Sequence, residues 1–307
     1  MSYSGFLKPC LIAASLALIA AIAHAADTGA TLDTAEIERL TGLKGTYSKE
    51  ENVFKVSKPR NDVKIQVDEW AMPPFMGLGS WAAFTPTQNG QVVMMGDTVL
   101  FEDEVNPVIS AAFEAGLEVT ALHNHFFFDE PKVYFMHIGG TGSSAKLAAG
   151  VKRIYDKVAE IRAAKPIPSS QFGRAIPTEN KISAQPLEQI LGMKGSSKDG
   201  MFKVVFGRPA TMHGVSVGKE MGVNTWAAFA GTDSEAVVDG DFAMLANEMQ
   251  AVLRTMRAGG MNIVAIHQHM THEKPHYLFM HYWGKGEAKD LAKTIRKALS
   301  VQADHQE

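Results

Sequence analysis

Eight of the eleven histidines lie in two fifteen-residue windows, His123–His137 and His267–His281. Each window begins His-x-His, continues with a carboxylate (Asp129, Glu273) and a proline (Pro131, Pro275), and closes on a third histidine (His137, His281). Neutral imidazole and carboxylate are ligands for divalent transition metals, so the chemistry to expect is metal binding. Alternate residues of a strand share a face, which puts His123 beside His125 and His267 beside His269, about 6.6–7 Å apart along the backbone. The proline lies midway between the second and third histidines. A hairpin symmetric about it sets His125 opposite His137 and His269 opposite His281, on one face. The expected ligands are therefore His123, His125 and His137 in one site and His267, His269 and His281 in the other. Asp129 or Glu273 would fold back as an oxygen ligand or general base. Zinc is the first expectation, with Mn, Fe, Ni or Cu also suited to these donors. Affinity should fall below about pH 6.5, where imidazole protonates.

Other residues read more plainly. Val119, Ala121 and Phe135 are expected on the histidine face. Met136 and Met280 alternate away from it and belong in the core. Trp81 and Trp226 read as packed inside, Asp97 and Asp241 as turn residues after glycine with the lining of a site as the lesser alternative, and Glu104 and Glu248 as acids at helix N-termini. His272 and His276 read as solvated or as outer support of the second site, and His213 and His305 as surface residues.

The windows belong to a longer duplication. They are offset by 144 residues and identical at six positions. Trp81-Ala-Ala-Phe84 answers Trp226-Ala-Ala-Phe229, Gly96-Asp97 answers Gly240-Asp241, and Phe54-Lys-Val56 answers Phe202-Lys-Val204. A period of about 145 residues means duplicated domains, not a solenoid. The expected boundaries are 33–163 and 186–302, joined by a Pro- and Ser-containing linker over 164–185. Within each unit a short helix ends at glycine (Gly42, Gly192). Short apolar strands follow, then a helix near 102–115 or 244–258, the strand and return strand carrying the histidines, and a last helix near 144–161 or 288–299. Strands gathered around helices, without strict alternation, predict an α+β fold. It would be two tandem duplicated domains, each a mainly antiparallel sheet with helices on one face.

Residues 1–25 read as a secretory signal: Lys8, an apolar stretch, then Ala23-His-Ala25 as the cleavage motif. Cleavage after Ala25 removes Cys10, the single cysteine, and predicts a periplasmic or secreted protein with neither disulfides nor cysteine-metal sites. Loss of Lys8 takes the formal net charge from −3 to −4, which favours neither nucleic acid nor an anionic membrane as partner. No later stretch is apolar enough to span a membrane. The partner expected is a small-molecule ligand or substrate; the oligomeric state is open.

Leu122-His-Asn-His125 with Pro131 and Met136-His137, and Ala265-Ile-His-Gln-His269 with Pro275 and Phe279-Met-His-Tyr-Trp-Gly284, resemble the LppY/LpqO family of exported proteins, a domain of unknown function (DUF1259). The resemblance runs from about residue 33 to 302 and implies secretion and a repeated domain. It supplies no activity. Its mycobacterial members resemble lipoproteins, but Cys10 precedes the apolar stretch, so no acyl anchor is expected here. Two readings of function stand: a metal-dependent hydrolase or related enzyme, and a non-catalytic periplasmic carrier of metal or small ligand.

Overall fold

The computed structural model describes Met1 and residues 32–171, 173 and 176–303. The signal reading and His305 fall outside them. The first unit runs α1 (Thr34–Thr41), β1 (Gly45–Ser48), β2 (Val53–Pro59), β3 (Gln66–Val67), β4 (Trp70–Ala71), β5 (Gly79–Pro86), β6 (Val92–Phe101), α2 (Glu102–Glu114), β7 (Glu118–His123), β8 (Asp129–Glu130), β9 (Val133–Gly142) and α3 (Ser144–Ala164). The second repeats it: α4 (Ala184–Leu191), β10 (Ser196–Lys198), β11 (Met201–Gly207), β12 (Ala210–Met212), β13 (Val215–Val217), β14 (Asn224–Gly231), β15 (Ala236–Met244), α5 (Ala246–Ala258), β16 (Asn262–His267), β17 (Glu273–Lys274), β18 (Leu278–Gly286) and α6 (Ala288–Ala303). The fold is α+β, as expected from the pattern of elements.

The units share one twelve-stranded sheet, ordered β1-β2-β5-β6-β9-β7-β16-β18-β15-β14-β11-β10. Antiparallel β7 and β16 meet at its centre through Leu122 and Ile266. Helices cover one face, over a core that includes Leu122, Met136, Ile266 and Met280. Burying these apolar side chains contributes roughly 1.5–3 kcal/mol each, and the core runs unbroken across the junction. On the opposite face, two small sheets, β4-β3-β8 and β13-β12-β17, cover separate apolar clusters around Phe135 and Phe279. The apolar run Val63–Val67 reads as strand and holds β3, but the other strands of this partial second layer are too short, at two or three residues, to leave an apolar pattern.

The junction is reciprocal. Buried Asn106 of α2 donates to Ile263 O (3.1 Å) and accepts from Ile263 N (2.7 Å). Gln250 of α5, 144 residues on, does the same for Val119 at 2.8 and 3.2 Å. Each unit's amide side chain thus satisfies backbone groups of the other, as a two-fold interface requires.

Both helices at the junction start on a buried glutamate. Glu104 accepts from Phe101 N and Glu248 from Leu245 N, each at 2.9 Å. These acids also hold cations: Glu104 binds Arg60 (2.7 Å) and Arg162 (2.8 Å), and Glu248 binds Arg208 (2.6 Å). Their role is larger than the helix-dipole reading, and it needs the distant arginines that the helix sequence does not show.

Candidate metal centre

The hairpin register differs from the proline-centred expectation. His137 faces Ala121, not His125, and His123 faces Phe135; His281 likewise faces Ala265, and His267 faces Phe279. The turn is therefore longer, and β7 and β16 end at His123 and His267, leaving His125 and His269 in the following loop. The displacement is an even number of residues, so the third histidine still falls on the face of the first. A bulge between Val119 and Ala121, matched by one between Ile263 and Ala265, changes the face of the residue before it. Val119 consequently joins the helix-side core while Ala121 stays with the histidines.

Asp97 and Asp241 are not turn residues. They lie within β6 and β15, opposite His137 and His281 and next to Trp81 and Trp226 across the sheet. The preceding glycine answers to packing: a Cβ on Gly240 would overlap the Tyr282 ring and Trp226 O, and one on Gly96 would crowd Trp81 O. Trp81 and Trp226 are half-buried on the histidine face, not inside, each beneath a lysine ammonium (Lys55 at 4.4 Å, Lys203 at 4.2 Å). Because Leu122 and Ile266 both point to the helix side, the two histidine sites are neighbours on the open face of one sheet.

In the second unit Asp241, His267 and His269 each bring one donor atom within 4.8 Å of the others. The His267 ring stacks on His281 with centroids 4.5 Å apart, and His269 stacks on Phe279 at 3.5 Å. His269 Nδ1 lies 3.0 Å from Gly222 O, and its Nε2 lies 3.0 Å from Asp241 Oδ2. A carbonyl only accepts, so Nδ1 must be the donor. Nε2 then faces a carboxylate oxygen either as part of an imidazolium or through a shared cation. Ligating histidines typically hold their other N–H on a carbonyl in this way. Asp241 Oδ1 and His267 Nδ1 are buried without a hydrogen-bond partner. A bound cation or an ordered water would give such atoms a partner.

The carboxylates expected from the turn lie elsewhere. Asp129 accepts from Val133 N (2.7 Å) and pairs with Lys132 (3.1 Å). Glu273 accepts from Tyr277 N (3.0 Å) and pairs with His276 (2.7 Å). Both are buried in the small sheets, where they hold the turn closed, and neither joins the donor cluster. The carboxylates beside the histidines are Asp97 and Asp241, of which Asp241 joins the donor cluster. Their signal was a charge inside an apolar strand run, repeated in both units. His276 supports Glu273 from outside, also reaching Gln268 at 3.0 Å. His213 is not isolated: its ring lies 5.2 Å from that of His272.

The family pattern described as a Domain of Unknown Function (DUF1259) matches residues 35–157 and again 185–301. The chain belongs to the DUF1259 family. Comparison with curated proteins gives no match. Among solved structures, the trimeric bacterial microcompartment shell protein PduB aligns over 85% of this chain and 93% of its own, at 8% identity and a TM-score of 0.20. The double-ringed trimeric shell protein MSM0271 from the RMM microcompartment aligns over 71% and 85%, at 10% identity and a TM-score of 0.16.

The two DUF1259 units differ at their sites. In the first, His123 stacks with His125 and His137, at 5.2 Å in each case, and His125 lies on Phe135. Among the described residues only the second unit gathers a donor cluster of metal-binding size. Burial raises the Asp97 carboxyl above the usual range, against the pull of His137, His125 and His123. Burial lowers His125, aided by His123 and His137. Burial also lowers His267, aided by His281 and His269 and opposed by Asp241, which favours the neutral, ligating imidazole. No helix among the described residues is long and apolar enough to cross a membrane.

Proposed function

We propose that this protein binds a divalent transition metal through Asp241, His267 and His269, and uses it as a hydrolase of small molecules in the periplasm or outside the cell. The observation that carries the metal is the donor cluster with its two buried, unpartnered atoms, Asp241 Oδ1 and His267 Nδ1. Three protein ligands leave a coordination position for water, the arrangement of catalytic zinc sites. Zinc so placed would lower the pKa of that water towards about 7. Asp241 neutralises part of the ion's charge, and Gly222 O orients His269 through Nδ1. His281, stacked on His267, borders the cluster without joining it. Glu273 holds His276 and Tyr277 N on Oε1, keeps Oε2 without a hydrogen-bond partner, and stands outside the donor cluster.

A carrier without turnover is the second reading. It is favoured by the exposed His213–His272 pair beside the same unit, which could collect metal from solution. Metal analysis of untagged protein recovered from the periplasm, followed by turnover assays on ester, phosphoester and amide panels, separates the readings. Stoichiometric metal with turnover lost in the His267→Ala/His269→Ala variant supports the hydrolase. Metal without turnover supports the carrier, and absence of metal with no uptake of Zn, Mn, Fe, Ni or Cu overturns both. Intact mass of the recovered protein tests the export reading, with Ala26 expected as its first residue.

A further inference from the structure

The first unit carries a polar cavity where the second unit has apolar side chains at the equivalent positions. It lies on the helix side of the sheet, between β2, β6 and α3, far in function from the histidines on the other face. Its volume is about 370 Å³, and Lys58, Arg60, Asp62, Thr98, Tyr155 and Arg162 line it.

The donors in this cavity outnumber their partners. Thr98 Oγ1, Tyr155 OH and Arg162 NH1 are all buried with no hydrogen-bond partner. Thr98 is 1%, Tyr155 5% and Arg162 7% exposed. The surrounding acids are already engaged. Glu104 receives Arg60 NH1 and NH2 and Phe101 N and forms an ion pair with Arg162 Nε, and Asp103 receives Arg162 NH2. Asp62 receives Arg60 Nε and NH2. Lys58, Arg60 and Arg162 stand against Asp62, Glu104 and Asp103, so the charges balance and what the cavity offers a ligand is its free donors and the Lys58 ammonium, unpaired among the described residues. The Lys58 ammonium lies 5.2 Å over the Tyr155 ring, at the same cavity. Burial pushes the Tyr155 phenol up, so it stays an O–H donor at neutral pH.

The duplication supplies the control. Strand register equates Lys58 with Phe206, since they face Ser80 and Thr225 in matching pairs, and Thr98 with Phe242, which face Met136 and Met280. Leu147 and Leu291 both crowd the equivalent glycines Gly140 and Gly284, and from them the helix count equates Tyr155 with Leu299. The second unit thus builds the same layers with Phe206, Phe242 and Leu299, and Phe242 is fully buried. The fold does not need polar groups here. Unpartnered buried polar atoms are costly, so three of them around one cavity mark a place where a ligand or ordered water would be held.

We infer that this cavity is a binding site for a small oxyanion, the phosphate or carboxylate group of a small molecule, held by Arg162, Lys58, Tyr155 and Thr98. Charge-assisted hydrogen bonds from a guanidinium and an ammonium, with two hydroxyl donors, are the set that recognises such a group. The site is separate from the metal centre and present in the first unit alone.

The test is calorimetric titration of the whole mature protein, stripped of metal, with inorganic phosphate and with succinate in a chloride background. Tyr155→Phe, Thr98→Val and the double variant leave Arg162 and its acids in place, and should fold with unchanged or higher Tm because each removes a buried orphan hydroxyl. One of the two probes should bind, and each substitution should weaken it about ten-fold. The stronger probe identifies the group. The His267→Ala/His269→Ala variant should bind it as the parent does. Binding of neither probe, or binding that the double variant retains in full, overturns the site and leaves the cavity to water.

Discussion

Replacing Asp241 with Asn keeps the side chain's shape and removes its charge, so it separates the metal reading from a structural one. Without metal, Asp241 buries one oxygen with no partner and offers the other to His269, whose side chain is 30% exposed. A neutral amide is easier to bury than a carboxylate. The metal-free variant should therefore be at least as stable as the parent. With metal the order reverses. At a concentration one hundred times the parent's dissociation constant, binding adds about 2.7 kcal/mol. For a chain of this size that is a rise in Tm of about 5 °C. If loss of the charged ligand weakens affinity one hundred-fold or more, the variant gains no more than about 0.4 kcal/mol at the same metal concentration. Its rise should then be about 1 °C. Scanning fluorimetry of both proteins, with chelator and with zinc, reads all four values. A full zinc-induced rise in the variant would show that Asp241 is not a ligand. A large loss of stability in chelator would show that its purpose is the ion pair with His269.

Asp97→Asn should stabilise the protein at pH 7 and not at pH 3. Burial raises the folded carboxyl above its unfolded value, so the parent's stability is greatest when the group is protonated and falls as pH rises through that window; the difference in Tm between the two proteins should grow from pH 3 to pH 7. Glu248→Gln should cost about 3–5 kcal/mol at pH 7 by leaving Arg208 buried without its anion. Burial works to raise Glu248, but bonds from Arg208, Leu245 N and Gln302 hold it below its usual 4.5; its contribution is present above the unfolded value and is lost as pH falls through the folded one, so the urea-denaturation gap should close on acidification. Asn106→Ala strands both backbone groups of Ile263 and should cost about 2–5 kcal/mol. Because the sheet and core are shared, urea melts should shift as one transition, and a biphasic melt would refute the single cooperative unit.

The duplication, the element order and the histidine face were legible because each is carried by repeated residues: His123 and His267, Trp81 and Trp226, Gly42 and Gly192. The register was not, since a proline equidistant from two histidines does not determine where the turn ends. His137 kept its face only because the displacement was even. The bulges beside Val119 and Ile263 depend on contacts with the return strands and with Asn106 and Gln250, residues distant in sequence. Asp241 was hidden by the habit of reading Gly-Asp as a turn, when the ring of Tyr282 is what demands Gly240. Glu273 was misplaced because β17 pairs with β12, about sixty residues earlier in the chain, an association with no local signature.

The exchanged amide bonds at the junction impose an order on synthesis. Val119 is complete only when Gln250 arrives, 131 residues later. Until then the amino-terminal half presents β7 as a bare edge strand, with unpaired backbone groups and Leu122 uncovered, a surface on which chains add to one another. The finished protein hides this edge at its centre and leaves only β1 and β10 at the ends of the large sheet, so exposure of β7 belongs to the nascent or unfolded chain. A fragment ending at residue 163 should accordingly self-associate through β7, while the full chain stays dispersed. Light scattering of the two at equal concentration decides it, and a monodisperse monomeric fragment would show that the edge protects itself.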